Sequence, residues 1–236
     1  MNIELVRCKR TDETYQAIRN RHYVENRGCH GQQLHYLIKL DGDIVGIISG
    51  ASSVWAVKAR DDFFSLTKDN KKKGLPSIIN NVVFRLEKHE KNLATKVLSL
   101  WRKRVAVDWQ ERYGVQVHGF ETFVVENDKR KGCLYKADNW TFLGYTAGST
   151  KTHNGLQNKS KRLMTTPKMI YALKIKKTKL STEYTPTWNT KKTKAETLQA
   201  LVNEHDGIVT YNGQSKQEIE DAHAVNYEIL QEKGLI

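Results

Sequence analysis

His22 and Tyr23 stand side by side ahead of a polar, glycine-containing loop, GCHGQQ. An imidazole titrates closer to neutral pH than other side chains, and a neighbouring phenol can assist as a donor, so the pair suits proton transfer. The competing role for His22 is to close a helix end, where a positive ring would favour the dipole. Glu121 interrupts the apolar run VQVHGFETFVV. A carboxylate there is unfavourable unless it is used or paired, for example in a strand-end ion pair with Arg85 or Arg112. Asn80 and Asn81 interrupt IINNVVFRL in the same way. Successive strand residues face opposite ways, so at least one amide must turn inward and find hydrogen-bond partners.

Metal chemistry has weaker support. His22, His30, His35, His89, His118 and His153 show neither HxH nor HExxH spacing, which leaves the metal question open. Cys8, Cys29 and Cys133 are odd in number and outside any CxxC, which argues against a disulfide scaffold and a four-ligand zinc site.

The 236 residues carry 39 Lys and Arg against 26 Asp and Glu, a net charge of +13. Residues 151–194 hold 12 basic side chains and one acidic, Glu183, whereas residues 195–236 are acidic. So basic a block suits a polyanion, nucleic acid above all. A solvated lysine-rich surface balanced by an acidic tail is the alternative. Within the block, STKTHNGLQNKSKRLMTTPK offers Lys151, Lys159, Lys161, Arg162 and Lys168 to phosphates, and Asn, Gln and His to base edges. A base whose exocyclic amine is to be reached must leave the stack, so aromatic platforms belong nearby; Trp55, Tyr145 and Trp188 are candidates. No apolar run approaches the roughly 20 residues of a membrane span and the start lacks a signal-peptide core, so a cytoplasmic protein with no membrane partner is expected.

The elements that must position these residues read as follows. IELVRCKR predicts a strand, and residues 11–22 a helix with Thr11 as N-cap. LHYLIKL-DG-DIVGIISG predicts a hairpin, because Asp41-Gly42 supplies the positive φ angles of a tight turn. Residues 51–77 read as an insertion or loop, 78–86 as a strand, and 115–125 as another. From Asn92 to Gln110, Leu93, Val97, Leu98, Trp101, Val105 and Trp109 recur at helical spacing. KGCLYKADNW is a short helix or turn, 141–147 a strand, and 169–175 the last strand after a basic loop. Hairpins mixed with βα crossovers predict an α/β fold, a mixed central sheet with helices on both faces. Residues 1–176 form the expected catalytic domain and 177–236 a basic arm with a small helical tail.

This order is that of the GNAT acyltransferase fold, with the long helix after the fourth strand. HGQQLHYLIKLDGDIVGIISGAS, IINNVVFRL, KNLATKVLSL, DWQERYG, ETFVV, KGCLYKADNWTFLGYTAG and PKMIYALKI together resemble the DruA-like family of bacterial anti-phage Druantia systems, over roughly residues 12–175. KN-x-A-x-x-x-LS followed by Y-K-A-x-N-W-x-x-L-G is also similar to the phage Mom proteins, which modify adenine in DNA. The resemblance implies a donor, an acyl-CoA or another small activated molecule, with its anionic end at the start of the long helix. There Lys91, Asn92 and backbone N–H groups near Thr95 could bind it, although EKNLAT lacks the usual glycines and Asn92 has an N-cap as its plainer role.

The resemblance further implies a transfer site flanked by the strand of Glu121, which could deprotonate an attacking amine. An HY pair near the position of His22-Tyr23 is shared with Mom-like sequences. Tyr135 matches a tyrosine that protonates the leaving thiolate, Asp138 and Asn139 complete a polar segment, and Trp140 reads as core. The function expected is a group-transfer enzyme that modifies a DNA base, with adenine favoured, protecting DNA from restriction. A non-catalytic DNA-binding protein of a defence or mobile element, and an N-acetyltransferase acting on a small amine or protein, are the rivals. DNA is the expected partner, with a homodimer left open.

Overall fold

The computed structural model describes residues 2–24, 31–128, 130–153, 160–164 and 166–182, with 149–153 and 160–164 described by backbone alone. Strand β1 (Ile3–Cys8) leads into helix α1 (Glu13–Arg19). Asp12, not Thr11, caps that helix: its carboxylate accepts from the Tyr15 N–H at 2.9 Å. The hairpin is as expected, β2 (Gln33–Leu40) and β3 (Asp43–Ser52), turning at Asp41 (φ 51°) and Gly42 (φ 98°).

Residues 51–77 are not a loop. They hold helices α2 (Lys58–Phe64) and α3 (Lys71–Gly74), followed by a short 3-10 turn. The buried stripe of α2 is Arg60 and Phe64, with Val57 at its N-cap; the charged Arg60 in that stripe hid the helical period. Next come β4 (Ile78–Leu86), the long helix α4 (Leu93–Tyr113), β5 (Gly119–Val125), α5 (Cys133–Ala137) and β6 (Thr141–Tyr145). The expected basic loop contains an antiparallel pair, β7 (Ser149–His153) and β8 (Ser160–Met164), and β9 (Lys168–Lys174) returns to the sheet.

Seven strands form one sheet in the order β1-β2-β3-β4-β5-β9-β6. All neighbours are antiparallel except β4 and β5. Helix α4 seals one face: Leu93, Val97, Leu98, Trp101, Val105 and Trp109 are buried against Tyr36, Ile38, Ile48, Ile79 and Phe120, as the spacing predicts. Opposite lie α1, over Leu37, Ile47 and Val83, and α2, over Ile78 and Ala172. The fold is therefore a mixed α/β sheet flanked by helices on both faces. Two glycines permit its closest approaches. A Cβ on Gly119 would collide with the Phe64 ring, and one on Gly132 with the ring of Tyr171. Past β9 the chain stays on the domain, with Thr178 bonded to His118 (3.0 Å) and Leu180 packed near Leu66 and Leu75. Most of the expected arm and tail, including Trp188, lies outside the described residues.

Candidate active site

The parallel strands β4 and β5 pair at three positions, Ile78 with Gly119, Ile79 with Phe120, and Asn80 with Glu121. Past them the two strands part. Because neighbouring strand residues alternate faces, the parting presents Asn81 and Thr122 to one side and Asn80 and Glu121 to the other.

On the α4–α5 face the groups are neutral. The Tyr135 hydroxyl donates to Asn81 Oδ1 at 2.9 Å, and Thr122 Oγ1 donates to the Asn81 carbonyl at 2.9 Å, tying the parted strands together. The Asn81 amide donates to the Ser49 and Val83 carbonyls, so every hydrogen-bonding group of this side chain is occupied. Tyr135 is buried and stacks on Tyr171 at 5.7 Å. Burial pushes its phenol well above the ordinary range, so near neutral pH it keeps its proton and can only donate.

On the α2 face the chemistry is ionic. Glu121 and Arg60 both have fully buried side chains and meet at 2.6 Å. Glu121 also accepts from the Val54 N–H at 3.3 Å. Desolvation raises its carboxyl pKa while the Arg60 guanidinium pulls the other way. The ion-pair partner is thus Arg60, not Arg85 or Arg112. Asn80 is buried nearby and its Oδ1 has no hydrogen-bond partner.

The His22 and Tyr23 rings lie 4.4 Å apart, tilted by 32°, and the Arg130 guanidinium lies 3.9 Å from the Tyr23 ring centre. The Val24 N–H donates to His22 Nδ1 at 3.2 Å, which leaves the proton of the neutral ring on Nε2. Burial first, then the Arg19 charge, lower the His22 pKa to about 4. His22 is therefore a neutral donor toward its surroundings at physiological pH. Tyr23 reaches the Val125 backbone at the end of β5 and lies close enough to Tyr135 to raise its pKa, so the two tyrosines share the parting.

At the other end of the site, Asn92 takes a left-handed backbone (φ 62°) and leads into α4 without a side-chain cap, a conformation asparagine tolerates better than most residues. Lys91 and Asn92 are exposed, and Thr95 donates to the Asn92 carbonyl at 3.0 Å. Thr95, Lys96, Ser99, Leu100, Lys103 and Asp138 line a groove of about 410 Å³ along α4. Asp138 is spent inside the structure, held by Arg102 in two bonds of 2.7 Å and by the Trp140 indole at 2.8 Å. Apart from Leu100, the rest of the lining is the basic Lys96 and Lys103 and the hydroxyls of Thr95 and Ser99. Trp140 is core, as expected, and Asn139 is an exposed turn residue with φ 63°.

The structure therefore brings Tyr135, Asn81 and Tyr23 to one side of the parting and sets Glu121 and Asn80 on the other. Lys151 pairs with Arg162 and Thr152 with Lys161 in backbone register across β7 and β8. Lys168 opens β9, and Lys159 lies outside the described residues. Two groups escaped the sequence reading. Arg60 sat in a supposed loop. His35 was weighed only as a metal ligand, but it joins Tyr15 (3.1 Å), Ser49 (3.0 Å) and Gln33 (3.2 Å) in a buried network. Among the described residues, no group of three or more His, Cys, Asp or Glu could hold a metal, and no helix is long and apolar enough to cross a membrane.

A mixed sheet whose single parallel pair opens onto a buried polar site defines an α/β protein with the flanked central sheet that the sequence suggested. The chain belongs to the DruA family, whose model, described as Druantia protein DruA, matches residues 1–182. No curated protein matches it in sequence. Solved structures similar to it include the microcin C7 self-immunity acetyltransferase in complex with acetyl-CoA and AMP, at 12% identity and a TM-score of 0.38, covering 61% of each chain. An IAA acetyltransferase from Bacillus cereus is 12% identical with a TM-score of 0.43, covering 74% of this chain and all of the other (100%). An acetyltransferase of Bacillus subtilis in complex with CoA is 9% identical, TM-score 0.44, covering 74% of this chain and 98% of the other. The chain thus spans about three fifths (61%) of the microcin enzyme.

Proposed function

We propose that the chain is a GNAT-type group-transfer enzyme that modifies an exocyclic amine of a DNA base, adenine being the favoured one, within an anti-phage defence context. The observation that carries this reading is the Tyr135–Asn81–Thr122 constellation, a buried and fully satisfied donor set where β4 and β5 part. An acyl-CoA or other small activated donor would supply the group to be transferred. The α4 groove fits its anionic end, because Lys96, Lys103, Thr95 and Ser99 face it while its one carboxylate, Asp138, is already neutralised by Arg102. Lys91 and the N–H groups at the start of α4 add to the same field.

Each residue then has a task. Tyr135 keeps its proton, which now goes to Asn81 Oδ1 and must leave that bond before it can serve a substrate, and His22 offers its Nε2 proton from the Tyr23 side. Glu121, if it accepts the amine's proton, must loosen its bond to Arg60. The basic block of residues 151–194 supports DNA as acceptor. Mass spectrometry of nucleosides from cells expressing the protein tests this directly. A modified nucleoside is expected with the wild type and should fall by roughly 10²-fold or more with Tyr135→Phe. DNA that is bound but carries no modified nucleoside would instead favour a non-catalytic DNA-binding protein.

A further inference from the structure

The buried Arg60–Glu121 pair holds up a loop. Arg60 Nη2 donates to the Val54 carbonyl at 2.6 Å, and Glu121 accepts from the Val54 N–H, so one ion pair clamps both backbone groups of Val54 from beneath. Above the clamp, Val54 and Trp55 are 47% and 60% exposed. An indole so exposed on so firmly held a backbone is unusual, since large aromatics ordinarily bury their area. One side of the ring is already met by Lys71, whose Nζ lies 5.1 Å from the ring centre and is held by Asp61.

The surroundings are basic in a way that only the fold reveals. Helix α3 carries Lys71, Lys72 and Lys73, while Lys174, Lys176, Lys177 and Lys179 follow about a hundred residues later. Leu180 packs near Gly74 and Leu66, and the Lys174 ammonium sits 4.8 Å from the Phe63 ring, which brings the two runs to one side of the molecule beside Trp55. Lys72, Lys73, Lys174, Lys176, Lys177 and Lys179 are all exposed. A further exposed aromatic near a basic segment, Tyr145, donates its hydroxyl to Glu126 at 2.7 Å, and that carboxylate repels phosphate.

We propose that Trp55 is a stacking platform for an unstacked base of the DNA acceptor, with the α3 lysines and those after β9 holding the flanking phosphates. This rests on the DNA reading above and deepens it. Glu121 and Arg60 are then positioning residues for the platform, acting through the Val54 backbone. Stacking on an aromatic ring is tolerant of sequence because every base has a π-face, and lysines at its border supply the salt-dependent part.

Fluorescence anisotropy with a fluorescein-labelled single-stranded 20-mer, and with its duplex, tests the surface. Trp55→Ala should weaken single-strand binding roughly 5- to 100-fold with little change at the duplex, and Trp55→Phe should restore most of it. Combining Lys73→Glu with Lys176→Glu should flatten the log–log salt dependence by about 1.4 for two phosphate contacts. Tyr145→Ala should bind like the wild type. If the wild type binds but Trp55→Ala stays within twofold of it, or Tyr145→Ala loses more, the platform is overturned and the DNA reading stands. If the wild type binds neither oligonucleotide at low salt, both fall together.

Discussion

The two faces of the β4–β5 parting solve the same problem with opposite chemistry. Toward α5, the strands are joined by neutral groups, Tyr135, Asn81 and Thr122, each bond a hydroxyl or amide contact near 2.9 Å. Toward α2, a full ion pair of zero exposure does the work, and Arg60 spends its remaining donors on Asp61, Val54 and Trp55. A neutral network can be broken one bond at a time at modest cost, and its tyrosine can exchange the Asn81 bond for another acceptor. A buried ion pair cannot lose one member cheaply, because the survivor remains charged in a medium that solvates it poorly. The difference teaches that Glu121 is first a structural anchor, whatever proton it handles, while Tyr135 is the more available participant.

The largest effect that could break this contrast is expected from Arg60→Ala. It leaves the Glu121 carboxylate buried without its guanidinium and should destabilise the fold by about 3–5 kcal/mol, read from urea denaturation midpoints. Arg60→Met combined with Glu121→Leu removes both charges and should recover most of that loss. If the single variant proves no worse than about 1 kcal/mol, the carboxyl is already neutral in the folded state and the ionic description of this face fails.

Tyr135→Phe probes the other face and should have a smaller effect on stability, about 1–3 kcal/mol, because it orphans Asn81 Oδ1 but strands no charge. The ring stack on Tyr171 and the contact with Trp140 survive the substitution. A variant with wild-type stability and full transfer would show that the hydroxyl is idle on both counts.

The same contrast explains what the sequence could tell. Local signals carried through: the Asp41-Gly42 turn adopts its positive φ angles, and the period of α4 buries the six apolar residues it marks. The residue types of the site were also legible, since Asn80, Asn81 and Glu121 are out of place in apolar strands. Their partners were not. Arg60 meets Glu121 across 61 positions and Tyr135 meets Asn81 across 54, and no local pattern encodes such pairings. Helix α2 stayed hidden because a charged residue occupies its buried stripe, and β7 and β8 read as loop because lysines and threonines mask the alternation of the paired strands.

The smallest effect concerns protons at the Tyr23 side, where the neutral chemistry of the α5 face meets charge. His22 has a folded-state pKa of about 4 against an ordinary value of 6.5, lowered by burial and then by Arg19, with Arg85 and Arg130 acting the same way. Protonation is therefore harder in the folded protein than in the unfolded chain. By linkage, this residue's contribution to stability is intact above pH 6.5 and drains away as pH falls from 6.5 toward 4. His22→Asn cannot titrate, so its melting temperature should fall less steeply than that of the wild type across that window, while the two curves run parallel from pH 7 to 8. Differential scanning calorimetry at half-unit pH steps resolves the comparison. A wild type that grows more stable relative to His22→Asn on acidification would mean that the ring gains a carboxylate partner and is charged when folded, which would reverse its role from neutral donor to cation at the mouth of the site.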